Sequence, residues 1–170
     1  MSEDFEGWFP DGRRRLMRLA YLLAGGDSHG AEDLVQTTLT KLYLAWDRVR
    51  AKDSVEAYAR RILINEFNST WRRPARRLEV VTDRLPDAPV EIGEARNTEL
   101  FALIRTLPER QRAVLVLRYY EDLSEAEIAA VLGISRGSVK AHASRAMQPL
   151  RTRLPEHYRD ESAAGRREAQ

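Results

Sequence analysis

A short stretch near the carboxyl end of the chain carries the residues best suited to binding another macromolecule. Ser124 and Glu127 have the spacing of a capping box, in which each side chain binds the backbone N–H of the other at the start of a helix. Gly133 can adopt the left-handed conformation that ends a helix, and Ser135 can cap the next one. Helix, tight glycine turn and helix together predict a helix-turn-helix, whose second helix enters the major groove of DNA.

The second helix of this motif has the charge that DNA requires. Residues 134–154 include five basic side chains and no acidic one. Arg136 and Lys140 can pair with guanine or with phosphate, whereas serine hydroxyls suit phosphates or tolerant base contacts. The pattern leaves open which residue reads a base. His142 is expected to be partly buried and hydrogen-bonded, and the alternative is that it contacts a phosphate. The expected DNA-facing residues are Ser135, Arg136, Gly137, Ser138, Lys140, Ala141, Ser144 and Arg145.

Little in the sequence offers the chemistry of an enzyme. There is no cysteine, which excludes a disulfide framework, a thiolate zinc site and a cysteine nucleophile. His29, His142 and His157 lack metal-ligand spacing, and no glycine-rich phosphate loop is present. We therefore predict no catalytic residue, no metal and no cofactor. Acidic residues at the amino end and the lack of a long apolar run predict a cytoplasmic protein without membrane insertion.

The elements that position these residues are expected to be helices. Apolar residues at helical spacing predict helices over about 12–24, 31–49 and 54–73, with Ser54 as an N-cap and Pro74 as a stop. Helical periodicity fades over residues 76–96, where Pro86, Pro89 and Gly93 intrude, which predicts a flexible acidic linker. The expected fold is all-α, with two small helical domains at 1–75 and 97–154 and a disordered tail at 155–170.

Charge is segregated along the chain although the net charge is only +2. Residues 50–77 contain eight basic and three acidic side chains, whereas residues 78–99 contain two basic and six acidic ones. Two basic blocks separated by an acidic one indicate two surfaces that face nucleic acid. The alternative is that each run is an ordinary solvated helix face.

Three segments resemble the sigma factors of bacterial RNA polymerase, in the order and at the spacing of that family. Residues 107–119 and 124–140 resemble the fourth conserved region, and residues 31–37 resemble the second. Residues 58–65 look like the end of the second region, where the family reads the minus-ten promoter element. Nothing resembles the third domain of the larger housekeeping factors, which implies the extracytoplasmic-function group. The implied function is to bind core RNA polymerase, direct it to promoters and assist their melting.

The resemblance also implies where the polymerase binds. In the family, the polar face of the second helix docks on the clamp coiled coil of the largest subunit, and the flap of the second-largest subunit is a further contact. Thr37 stands where the family usually has an acid. Ala143 stands where the recognition helix commonly has a bulkier apolar residue, which questions the packing at its far end. The positions that match the docking face are Asp33, Gln36, Thr37 and Thr40.

For promoter DNA, the resemblance implies a pocket for a flipped base of the non-template single strand, besides minus-35 duplex recognition by the helix-turn-helix. Asn65 could bind the base edge or simply face solvent, and Trp71 could stack on a base or pack in the core. An anti-sigma factor is a further candidate partner. The matching minus-ten positions are Arg50, Ala51, Lys52, Asp53, Arg60, Arg61, Asn65, Trp71, Arg72 and Arg73.

The main alternative is a stand-alone helix-turn-helix transcriptional regulator. It would explain the carboxyl-terminal motif but would leave the polar face of the second helix and the basic block at 50–77 without a purpose. Such regulators are usually symmetric dimers, whereas a sigma factor is expected to be a monomer until it meets polymerase.

Overall fold

The computed structural model describes residues 3–50, 54–71 and 98–153. This part of the chain is helical throughout, with turns between the helices, and the prediction of an all-α fold is confirmed. None of the described helices is both long enough and apolar enough to cross a membrane. The helices are α1 Glu3–Leu23, α2 Ser28–Leu44, α3 Trp46–Val49, α4 Val55–Trp71, α5 Thr98–Thr106, α6 Glu109–Tyr119, α7 Glu125–Leu132 and α8 Arg136–Arg153.

Helix α1 begins at Glu3, so the prediction of a start near residue 12 was wrong. The sequence signals against a helix here were Pro10 and two glycines, since a proline inside a helix costs about 3 kcal/mol. Aromatic packing offsets this cost. The ring of Phe5 lies 4.9 Å from that of Trp46, edge on, and Trp8 lies 5.9 Å from the same ring. Because Trp46 belongs to α3, the sequence of α1 alone does not indicate these contacts.

The predicted helix over 31–49 is two helices in the structure. It begins earlier, at Ser28, because the Asp27 carboxylate caps it by accepting from the Gly30 N–H at 3.1 Å. It breaks at Ala45, whose N–H is shared between the carbonyls of Lys41 and Leu42. The predicted N-cap of the next helix is confirmed, since the Ser54 hydroxyl accepts from the Ala57 N–H at 3.0 Å, and the predicted stop at Pro74 lies outside the described residues.

Two groups of helices pack on each other. Helices α1 to α4 pack around Leu19, Leu42 and Leu63, and α6 to α8 pack around Leu117 and Ile128. The two domains were expected to be joined by a flexible linker, and the structure shows in addition that their buried residues form one apolar cluster, because α1 packs on α6 and α4 packs on α7. A smaller cluster joins α5, α6 and the far end of α8.

Candidate nucleic-acid interface

The first helix of the predicted helix-turn-helix is α7, and its capping box is formed. The Ser124 hydroxyl accepts from the Glu127 N–H at 3.3 Å, and the Glu127 carboxylate accepts from the Ser124 N–H at 2.8 Å. The same carboxylate accepts from the Ser124 hydroxyl at 2.6 Å. These hydrogen bonds favour the ionised carboxylate and hold the pKa of Glu127 below its ordinary value. The start of α7 is therefore fixed as the sequence predicted.

Ser124→Ala is expected to lower the free energy of unfolding by about 1 kcal/mol, because it removes an N-cap. The lowered pKa of Glu127 means that its share of the stability is present above the unfolded pKa and is lost as pH falls through the folded pKa. The difference in the free energy of unfolding between wild type and Ser124→Ala should therefore be smaller at acidic pH. Urea unfolding at neutral and acidic pH measures it. Ser144→Ala, at an exposed position within α8, is the matched control, and an equal loss in that variant would contradict the assignment.

The turn between the two helices also follows the prediction. Gly133 has φ 65°, in the left-handed region, and the Ile134 N–H bonds the Ala129 carbonyl at 3.1 Å. The Ser135 hydroxyl caps α8 by accepting from the Ser138 N–H at 3.0 Å, and the two hydroxyls lie 2.9 Å apart. Two serines that were predicted to face DNA thus also fix the start of α8.

Helix α8 has one buried face and one free face. Val139, Ala143 and Ala146 are buried against the other helices, so the small side chain of Ala143 fits its place in the core. Among the predicted DNA-facing residues, Ser138 and Ala141 are half-buried. Those exposed are Ser135, Arg136, Gly137, Lys140, Ser144 and Arg145.

Glu125, which the sequence analysis did not single out, links two basic residues of the motif. Its carboxylate accepts from Arg118 of α6 at 3.2 Å and lies 3.8 Å from the Lys140 ammonium of α8. The group therefore holds two cations on the same side of the motif and neutralises part of their charge. The sequence signal for this link was an acidic residue in the first turn of α7, because the next helix, α8, contains basic residues and no acidic one.

His142 departs from its prediction. It is half-buried as expected, but its Nδ1 atom is buried without a hydrogen-bond partner among the described residues. Burial first, then the nearby charges of Arg145 and Arg110, hold the pKa of His142 below its ordinary value. The physical reason is that the charged groups acting on this side chain are the cations Arg145 and Arg110, which cannot accept a hydrogen bond.

The predicted docking residues share the exposed face of α2. Asp33, Gln36, Thr37 and Thr40 are all exposed, while Leu34, Val35, Thr38 and Leu42 are buried on the opposite face. The hydroxyls of Thr37 and Thr40 donate to the carbonyls of Asp33 and Gln36, both at 2.9 Å. The Thr37 and Thr40 hydroxyls are thus used within α2, whereas the Asp33 carboxylate and the Gln36 amide make no hydrogen bond within this helix.

An apolar end to this face was missed. Leu44 lies one helical turn beyond Thr40 and is 81% exposed, and Tyr43 beside it is also exposed. In the sequence, the signal was that Leu44 falls outside the line of apolar residues that forms the buried face of the helix. The face therefore runs from polar at Asp33 to apolar at Leu44.

The structure describes the side chains of only some of the predicted minus-ten residues. Asn65 and Arg61 are exposed one turn apart on α4. Arg50 is exposed and lies 3.2 Å from Asp4 and 3.5 Å from Asp47, while Arg60 is half-buried and lies 2.7 Å from Glu121 of the other helical group. The side chain of Trp71 and the residues Ala51, Lys52, Asp53, Arg72 and Arg73 lie outside the described residues.

Comparison with known proteins shows the family to which the chain belongs. The sigma-70 region 2 family matches residues 11–77, and the sigma-70 region 4 family matches residues 98–150. The chain is 38% identical to an RNA polymerase sigma-E factor of Streptomyces avermitilis, over 97% of this chain and 93% of that protein. It is 33% identical to the extracytoplasmic-function sigma factor SigE of Mycolicibacterium smegmatis, over 84% of this chain and 58% of that protein.

A solved structure has the same fold. It is the sigma factor RpoE of Bartonella quintana in complex with the anti-sigma factor NepR, with a TM-score of 0.64 and 25% identity over 90% of this chain and all of that one. The chain belongs to the extracytoplasmic-function group of the sigma-70 family. It is a sigma factor, which makes it a regulatory protein of transcription, and the prediction of this family and of its two helical domains is confirmed.

Proposed function

We propose that this sigma factor docks on core RNA polymerase through the exposed face of α2 and reads a promoter at two places. The observation that carries the proposal is that one chain joins a helix-turn-helix with an exposed basic face to a second helical group with an exposed polar face. Asp33, Gln36, Thr37 and Thr40 form the docking face, which includes Leu44 at its apolar end. The clamp coiled coil of the largest subunit is its partner, and the flap of the second-largest subunit contacts the carboxyl-terminal domain.

The two DNA surfaces act on different forms of the promoter. Helix α8 enters the major groove of the minus-35 duplex, where Arg136 and Lys140 are nearest to the bases. Helix α4 meets the minus-ten element after strand separation, and Asn65 presents an amide that can pair with the edge of a flipped base. The domains proposed for these tasks are 1–75 and 97–154, with 76–96 as linker and 155–170 as tail.

The remaining assignments follow from this role. The protein performs no catalysis of its own and acts in the cytoplasm, where the polymerase and the chromosome are. An anti-sigma factor is a candidate partner, supported by the complex in which the similar RpoE chain was solved. A stand-alone regulator is not favoured, because the docking face and the exposed residues of α4 would then have no partner.

Assembly with purified core RNA polymerase tests the proposal. We expect the chain alone to elute as a monomer in gel filtration and to form a one-to-one complex with the core enzyme. A stable symmetric dimer that binds a palindromic site without polymerase would contradict the proposal and favour the stand-alone regulator.

A further inference from the structure

Three charged side chains from three helices meet on one side of the helix-turn-helix. Arg118 lies near the end of α6, Glu125 is the first residue of α7, and Lys140 lies one turn into α8. The two carboxylate oxygens of Glu125 are divided between the cations. Oε1 accepts from Arg118 Nη1 at 3.2 Å, and Oε2 lies 3.8 Å from Lys140 Nζ. One acid thus connects a basic residue of α6 to a residue that is predicted to face DNA.

The core of the motif fixes the place where these charges meet. Leu117, Ile128 and Val139 are completely buried, and each lies within one helical turn of one of the three charged residues. Closely packed side chains leave little room for a helix to shift. The three backbones therefore hold the charged groups in a constant arrangement.

The two contacts of Glu125 differ in strength. Arg118 is hydrogen-bonded to the carboxylate, and its guanidinium carbon also lies 5.7 Å from the centre of the Tyr119 ring. The contact with Lys140 is longer than a hydrogen bond, and the Lys140 side chain is 67% exposed, against 37% for Arg118. An exposed ion pair of this kind shifts an equilibrium by no more than roughly fivefold. Arg118 therefore holds the carboxylate, and the carboxylate directs the Lys140 ammonium without binding it tightly.

A carboxylate beside a DNA-reading helix is unfavourable for DNA binding in general, because it repels phosphates. The capping box of α7 is formed by Ser124 and Glu127, so it does not require Glu125. An acid in the first turn also favours a helix through the helix dipole, but that role needs no cation beside it. The pairing of Glu125 with two basic residues is therefore what helix stability alone leaves unexplained.

The chemistry of lysine shows what this pairing can do. An ammonium group has three N–H donors, so Lys140 can keep one directed at Glu125 and offer the others to a base. Guanine presents two acceptors, O6 and N7, in the major groove. A lysine without such support can turn to the nearest phosphate, which carries no sequence information. Holding the side chain in advance also reduces the conformational freedom that it loses on binding.

Arg136 provides the contrast within the same helix. It lies one turn before Lys140 and is exposed, and it forms no ion pair with any residue that the structure describes. The two cations that could contact a base therefore differ, because Lys140 is held by an acid and Arg136 is not.

We infer that Glu125 is a positioning residue for the reading of promoter duplex. It is fixed by Arg118, and it holds Lys140 toward a guanine of the minus-35 element and away from the phosphates. The inference rests on the proposed function, since it requires α8 to lie in the major groove. Without the Glu125 charge, Lys140 can bind phosphates on any sequence. Discrimination should then fall while binding to unrelated duplex rises.

Glu125→Gln tests the inference, because it removes the charge and keeps the size of the side chain. The full chain is assembled with core polymerase, and its affinity is measured for promoter duplex and for duplexes changed one base pair at a time in the minus-35 element. Lys140→Ala identifies the base pair that Lys140 reads. Glu125→Gln should reduce the preference at that same base pair by roughly fivefold, the size of an exposed ion pair. The base pair that Arg136→Ala affects should keep its preference.

Binding to a duplex with a scrambled minus-35 element gives the second readout. Affinity for this duplex should rise by roughly fivefold in Glu125→Gln at physiological salt, about the contribution of one additional phosphate contact. Glu99→Gln removes the same charge at an exposed site of α5 and should change neither readout. Circular dichroism checks that each variant is folded.

A double variant shows whether Glu125 acts through Lys140. Once Lys140→Ala is present, Glu125→Gln should cause no further loss of base preference, because the two changes remove the same contact. An unchanged preference in Glu125→Gln overturns the inference. A loss at a different base pair, a loss that adds to that of Lys140→Ala, or weaker binding to every duplex overturns it as well.

The proposed function fails in a different measurement. If the wild-type enzyme binds promoter and scrambled duplex equally, α8 does not read the minus-35 element, and the proposed function and the inference fail together. If the wild-type enzyme discriminates but Glu125→Gln behaves as Glu99→Gln does, the inference fails and the proposed function stands. The same holds if Lys140→Ala weakens binding to all duplexes alike, since Lys140 is then a phosphate contact.

Discussion

Gln36→Arg is expected to lower the affinity for core RNA polymerase by about a hundredfold, the loss typical of a substitution at the centre of an interface. Gln36 is exposed in the middle of the docking face, between Asp33 and Thr40. A longer, charged side chain there would have to be buried without a partner when the face meets the polymerase. Competition with a labelled sigma factor for a limiting amount of core enzyme measures the loss.

The same substitution elsewhere provides the control for this prediction. Gln148→Arg lies at an exposed position of α8, outside the docking face, and should bind core polymerase nearly as wild type does. Helix content should be unchanged in both variants, because neither side chain is buried. Asp33→Arg should reproduce the defect of Gln36→Arg. Normal competition by either docking variant would show that the polymerase binds another face.

Arg136→Ala is expected to cost roughly 1–3 kcal/mol in binding of the assembled enzyme to promoter duplex, if Arg136 contacts a base. Arg136 is exposed at the first position of α8, where the helix would enter the major groove. The change in sequence preference should be confined to the minus-35 element. Binding to a set of promoters mutated one base pair at a time measures this, and a loss that is uniform across the set would make Arg136 a phosphate contact.

Asn65→Ala is the contrasting variant, since it should act after duplex binding. Asn65 is exposed on α4 and is proposed to bind a base taken out of the stack. Closed-complex binding should be nearly unchanged, while permanganate reactivity of the opened strands should fall. A template with a pre-melted bubble should restore part of the lost transcription. If Asn65→Ala weakens duplex binding as Arg136→Ala does, the flipped-base pocket is wrongly assigned.

The parts of the fold that the sequence predicted are those set by local chemistry. The capping box at Ser124, the left-handed Gly133 and the N-cap at Ser135 each depend on residues within one helical turn, and all three are formed as predicted. The amphipathic pattern of α2 likewise separated its buried leucines from the exposed docking residues. Short-range hydrogen bonds and helical periodicity are sufficient for these features.

The parts that were missed depend on residues far apart in the chain. The early start of α1 depends on the packing of Phe5 against Trp46. The sequence analysis placed Arg60 among the minus-ten positions, but in the structure it binds Glu121, which is 61 residues away. Likewise, the sequence analysis predicted a flexible linker and no contact between the domains was foreseen, whereas α1 and α4 pack on α6 and α7. No pattern in the local sequence indicates contacts with residues so far away in the chain.

Mapping of transcription start sites in vitro tests the central claim most directly. Core RNA polymerase and fragmented genomic DNA should give specific starts only when this chain is added. The account predicts that these starts share two sequence elements at a constant spacing, and that Gln36→Arg abolishes all of them while Gln148→Arg retains them. Starts that do not depend on the chain, or a chain that only represses transcription at the sites it binds, would contradict its assignment as the promoter-reading subunit of the polymerase.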